Sequence, residues 1–77
     1  MSYKYSTRYQ AIGQHIQKVR QSRGLTQEDL AEKAGISISY LTKIEAQNCD
    51  KPFSLEVVFD IADALNVLPA ELLNGIK

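Results

Sequence analysis

The chain of 77 residues predicts an all-α fold, a compact bundle of five short helices without a sheet. Two observations carry that prediction. Apolar residues recur at helical intervals from one end to the other, with no strand-like alternation. Glycine, proline or a Ser/Thr cap punctuates every such stretch. Internal repeats, low-complexity tracts and interdomain linkers are missing from the sequence, so residues 1–8 are expected to be a flexible arm and 9–77 a single domain.

The first helical pattern runs from about Tyr9 to Arg23, with Ile12, Ile16 and Val19 on one stripe. Gly24 follows as a C′ residue, and Leu25 is free to fold back on the stripe. Thr26 caps a second helix whose first turn holds Glu28 and Asp29, where the macrodipole favours acids. Leu30, Ala31 and Ala34 supply its inner face, and Gly35 stops it. Ser37 caps a third helix, with Leu41 and Ile44 inward, Tyr40 at their flank, and Ser39, Thr42, Lys43 and Ala46 on the opposite side. Pro52 and the residue before it end the helical run. Ser54 caps a fourth helix with Leu55, Val58, Ile61, Ala62 and Leu65 on its buried face, and Asn66 closes it. Pro69 opens a short last helix, "PAELL", stopped by Asn74 and Gly75.

Composition narrows the class further. A hydrophobic share of 44% suits a globular chain rather than a disordered one. No apolar run approaches the ~20 residues that cross a bilayer, and "MSYKYSTRYQ" has no secretory h-region. Cys49 is the only cysteine, which excludes an internal disulfide framework and a Cys-rich zinc site and suits a cytoplasmic home. The net charge is zero, yet its distribution is polarised. Residues 1–27 carry Lys4, Arg8, Lys18, Arg20 and Arg23 and no acid, whereas from Pro52 onward Lys77 stands alone against Glu56, Asp60, Asp63 and Glu71. A positive face can exist without a positive total.

Ala31, Gly35, Ile36, Leu41 and Ile44 form the most informative constellation. A small residue lets two helices cross closely, a glycine makes the bend, and the next helix is anchored through one side only. That arrangement is a helix-turn-helix, which holds its second helix proud of the domain. The segments "LTQEDLAEKAGISISYLTKIE", "SLEVVFDIADALNV" and "ELLNG" resemble the Cro and phage-repressor (xenobiotic-response-element) family of helix-turn-helix transcriptional regulators over residues 9–75. The resemblance implies a lambda-repressor-like DNA-binding domain acting on double-stranded DNA, and a homodimer on a palindromic operator is expected; the residues themselves show no pattern for a cofactor, metal or small-molecule ligand.

By position, the resemblance assigns base reading to Ser37, Ile38, Ser39, Thr42 and Lys43. Lys43 suits guanine O6 or N7, Ser39 and Thr42 can donate or accept, and Ile38 suits thymine methyls. Ile38 departs from the family's usual long polar residue, and its wheel angle fits either an inward core position or an exposed one. Gln27 matches the glutamine that touches a phosphate and braces the recognition helix. Tyr40, Asn48 and Lys51 are further phosphate candidates. The family tends to carry bases in the loop after the recognition helix. Here Lys51 is accompanied by Asp50, which implies modest affinity per monomer. Arg20 and Glu45 match an ion pair tying the first helix to the end of the third; the alternative is two solvated surface charges.

Other features have plainer readings. His15, the lone histidine, has no partner for catalysis or metal binding. Glu28, Asp29 and Glu32 suit the helix dipole. "YKYSTRY" is either a backbone-tracking arm or a frayed end. A phosphate-cradling glycine loop, metal-ligand spacing and a nucleophile–base pair are all lacking, so an enzyme is not expected. Homodimer contacts are expected at Val67, Leu68, Leu72 and Ile76, beside Leu73. The competing function is a protein-interaction or coactivator scaffold on the same fold.

Overall fold

Each of the three central helices begins where a side-chain oxygen takes an otherwise unpaired backbone N–H. A computed structural model describes residues 4–49 and 51–77. Its elements are α1 (Ser6–Ser22), α2 (Gln27–Ala34), α3 (Ile38–Glu45), α4 (Leu55–Leu65) and α5 (Pro69–Leu73), with no strand among the described residues. Ser37 Oγ accepts the N–H of Tyr40 at 3.0 Å, and Ser54 Oγ that of Val57 at 3.2 Å. At α2 the cap is reciprocal. Thr26 Oγ1 accepts from Asp29 N–H, and Asp29 Oδ2 accepts from Thr26 N–H, each at 3.0 Å.

That box holds the Asp29 carboxyl below its ordinary value, chiefly through the Thr26 backbone N–H and next through the Thr26 hydroxyl. The sign follows from a depressed folded-state pKa. The carboxylate's contribution is present above the ordinary value and fades as pH falls through the folded one.

Left-handed residues end α1, α2 and α4, and at α1 Gly24 (φ 71°) lets Leu25 N–H reach back to the Arg20 carbonyl at 3.1 Å. Gly35 (φ 72°) lets Ile36 N–H reach back to the Ala31 carbonyl at 3.0 Å, and Asn66 (φ 58°) does the same for Val67 and Ala62 at 3.0 Å. The Gly35 bend makes the tight α2–α3 turn. Among the described residues, no helix is long and apolar enough to cross a membrane.

The core is one cluster drawn from all five helices. Ile16, Leu30, Leu41, Ile44, Ile61, Leu65 and Leu72 are fully buried, each contributing about 1.5–3 kcal/mol of transfer free energy. α1 packs on α3, α4 and α5, while α2 packs on α3 and α4. Phe53, in the segment leading to α4, meets Tyr9 edge-to-face with ring centroids 4.9 Å apart. Half-buried His15 donates its Nδ1–H to the Leu72 carbonyl at 2.9 Å, tying α1 to α5.

Three expectations need correction. Helix α1 starts at Ser6, ahead of Tyr9, so the last part of the expected arm is helical. Arg8 and Lys4 lie over the Tyr5 ring, at 4.8 and 5.3 Å from its centroid, and support that first turn. Residues 1–3 of the arm, like Asp50, lie outside the described residues. Leu55 is 60% exposed rather than inward, and Val57 takes its place in the core. At 100° per residue Leu55 stands about 90° off the stripe's mean direction, in the first turn. Leu72 is fully buried and belongs to the core, so it is not a dimer-surface residue.

Gly13 was not singled out by the apolar pattern, yet it sets the α1–α3 distance. A Cβ there would collide with the Ile44 carbonyl oxygen. Gly13→Ala is therefore expected to destabilise the fold by roughly 1–3 kcal/mol, outweighing alanine's ~1 kcal/mol helical advantage. Thermal unfolding checks this: the melting temperature falls, whereas a rise would show that the helices separate freely.

Candidate nucleic-acid interface

The outer face of α3 is built from the inside out. Its buried side holds Leu41, Ile44 and the carboxylate of Glu45, which is 3% exposed as a residue. Arg20 reaches it from α1 in a two-pronged pair, Nε to Oε2 at 2.8 Å and Nη2 to Oε1 at 2.9 Å. The remaining nitrogen, Nη1, donates to the Leu25 carbonyl at 2.8 Å, in the turn before α2. One guanidinium thus connects α1, the α1–α2 turn and the end of α3, and its planar fork matches the carboxylate.

Two glutamines complete the clamp. Gln14 Nε2 donates to the Glu45 backbone carbonyl at 3.0 Å, one of the groups left open at the end of α3. Gln27 Nε2 donates to Glu45 Oε1 at 3.0 Å. No buried side-chain nitrogen or oxygen among the described residues lacks a hydrogen-bond partner, so the buried charges carry little uncompensated desolvation. Gln14 was invisible to sequence reasoning, though its neighbour Gly13, a glycine inside a helical pattern, marks where a second backbone comes close.

On the other side α3 is bare. Ser37, Ser39, Tyr40, Thr42 and Lys43 are exposed, and Ile38, whose side was left open by the sequence, is 43% exposed and outside the core. Lys43 has no ion-pair partner among the described residues. The Ser37 hydroxyl oxygen serves as the cap of α3. Thr42 Oγ1 lies 2.8 Å from the Ile38 carbonyl and 3.4 Å from Gln27 Oε1.

Beyond the end of α3, Lys43, Asn48, Cys49 and Lys51 border one shallow hollow, and Tyr40 borders a second with Lys43 and Lys51. The phosphate candidates Tyr40, Asn48 and Lys51 therefore flank the base-reading candidates. Gln27 faces inward, toward Glu45 and Thr42. Val67 and Ile76 are half-buried and Leu68 is 68% exposed, at the α4–α5 end of the bundle and apart from α3.

A five-helix bundle, with its second and third helices joined at a glycine bend and the third presented outward, is the architecture of a Cro/repressor-type helix-turn-helix protein. The family described as Helix-turn-helix matches residues 16–72, and the chain belongs to it. The HTH-type transcriptional regulator SinR of Bacillus licheniformis is 38% identical over 63 residues. That match takes in 82% of this chain but 56% of SinR, so the chain spans little more than half that relative's length.

Solved structures share the fold. The restriction-modification controller protein C.AhdI from Aeromonas hydrophila is similar with a TM-score of 0.76 at 33% identity, over 83% of this chain and 94% of that one. SinR, the master regulator for biofilm formation, in complex with DNA, is similar with a TM-score of 0.75 at 36% identity, over 82% and 98%. These names are those of regulators, and the family is not an enzymatic one.

If the Arg20–Glu45 pair clamps α3, removing one partner strands a buried charge. Arg20→Ala is expected to cost ~3–5 kcal/mol and to lower the melting temperature by at least about 10 °C. A shift of only a degree or two would show that the pair does not hold the fold.

Proposed function

We propose that the chain binds double-stranded DNA sequence-specifically, as a small homodimeric transcriptional regulator with α3 in the major groove. The observation that carries this reading is the contrast between the two sides of α3. Its inner side is fixed by Arg20, Gln14 and Gln27, while Ser39, Thr42 and Lys43 stand exposed on a rod narrow enough for the groove. Ser37, Ile38, Ser39, Thr42 and Lys43 supply base contacts, with Lys43 donating to guanine and Ile38 packing on a thymine methyl. Tyr40, Asn48 and Lys51 hold the phosphates. The Gln27 side chain is occupied by Glu45, so Gln27 contributes to a phosphate through its backbone N–H at the start of α2.

Few cations surround this face, and the chain's net charge is zero. One copy therefore gains little from counterion release, and two copies on a palindrome, with half-sites about 34–36 Å apart, supply the missing contacts. Val67, Leu68 and Ile76 remain the residues assigned to pairing, joined by exposed Leu73. We read the location as cytoplasmic, in keeping with a DNA target and a single cysteine.

Binding of labelled duplex, followed by fluorescence anisotropy across a salt series, tests the reading. Lys43→Ala should cost about 1–3 kcal/mol on the preferred site and relax the base preference. Lys51→Ala should weaken all duplexes alike and make the salt slope shallower by about one. A wild-type slope near zero on every duplex would instead favour the protein-interaction scaffold.

A further inference from the structure

The orientation of Gln27 limits what Thr42 can say to a base. Glu45 offers only acceptors once ionised, so the side-chain atom of Gln27 that faces Oε1 at 3.0 Å is its NH2 group. The amide oxygen is then turned to Thr42, 3.4 Å from Oγ1. The other neighbour of that hydroxyl is also an oxygen acceptor, the Ile38 carbonyl at 2.8 Å. A hydroxyl has one hydrogen, and here both acceptors for it belong to the protein. What the side chain has left for a ligand is lone-pair density and the γ-methyl group.

We infer that Thr42 meets a bound duplex as an acceptor and a methyl group, never as a donor, and so selects a base edge that carries an exocyclic amine. This rests on the reading that α3 enters the major groove. There, adenine N6 and cytosine N4 donate, thymine offers its methyl to the Thr42 methyl, and guanine presents two acceptors, O6 and N7. Guanine beneath Thr42 would set lone pair against lone pair. Lys43, the next residue, has the opposite character: an exposed ammonium that only donates and suits guanine. The adjacent residues Thr42 and Lys43 thus demand unlike edges. The internal contacts of Glu45 and Gln27 reach specificity through Thr42, although Glu45 is buried away from any ligand.

The experiment is selection of bound duplexes from a randomised library by the full chain, the Thr42→Val variant and the Thr42→Ser variant. Thr42→Val keeps the shape and methyl group but removes the acceptor, and Thr42→Ser keeps the acceptor. The position whose preference changes is then probed with an analogue that lacks the exocyclic amine, purine in place of adenine or 2-pyrimidinone in place of cytosine.

The wild type and Thr42→Ser are expected to lose affinity about five- to tenfold on loss of the amine, the effect of one hydrogen bond, and Thr42→Val to be indifferent. Thermal unfolding of each variant confirms that the fold is intact; Thr42 is exposed, Thr42→Val is isosteric and Thr42→Ser removes only a methyl group. A wild-type chain that selects a site whose preferences Thr42→Val leaves unchanged overturns the inference alone. A preference for guanine at the affected position does the same. A wild-type chain that selects no duplex overturns the DNA-binding reading and the inference together.

Discussion

The contact between Arg20 and Glu45 organises this small bundle. An ionised carboxylate and a guanidinium are costly to bury, and they are tolerated only where their hydrogen-bonding groups find partners. Here Glu45 takes three side-chain donor bonds from Arg20 and Gln27, and Arg20 spends a further N–H on the Leu25 carbonyl. Because those partners sit on α1, on the turn before α2 and at the start of α2, satisfying the charges forces α3 into one position. The planar two-pronged geometry adds a directional constraint on the rotation of α3 to the non-directional packing of Leu41 and Ile44.

That constraint lets the outward face be sparse. A helix gripped from behind by a charge pair and by Leu41 and Ile44 needs no stabilising residue on its free side. Small polar groups can occupy it, and a backbone can approach a ligand closely. The close packing of α1 against the end of α3 at Gly13 serves the same end, bringing Gln14 within reach of the last turn. Glu56, Asp60 and Asp63 lie on α4, which packs on α2, α5 and α1, whereas Glu28, Asp29 and Glu32 lie on α2 beside α3.

Much of the fold was legible because caps and stops are local chemistry. Thr26, Ser37 and Ser54 each announce a helix start, and Gly35 and Asn66 each a left-handed stop, with information contained within a few residues. The inner faces of α2 and α3 followed from periodicity. The start of α1 did not, because Tyr5 caps it without a side-chain bond and no acid marks the first turn. Leu55 and Leu72 were misplaced for a shared reason: near a helix end, whether an apolar residue is buried depends on what other elements cover it. The same limit hid Gln14. Its partner is distant in sequence, and a glutamine in a helix carries no mark of being a tie. The candidate face of α3 was readable as a set of residues, but the direction of the Thr42 hydroxyl needed the Gln27–Glu45 contact, which only three-dimensional placement supplies.

Native-state amide hydrogen exchange tests most directly whether α3 is a clamped rod. The backbone N–H groups of Thr42, Lys43, Ile44 and Glu45 lie on an eight-residue helix that would be marginal by itself. If the buried pair and its glutamines hold that helix, these amides exchange only through global unfolding, with the same free energy as the core of α4. Exchange of these amides at the rate of frayed loops, while α4 stays protected, would contradict the account.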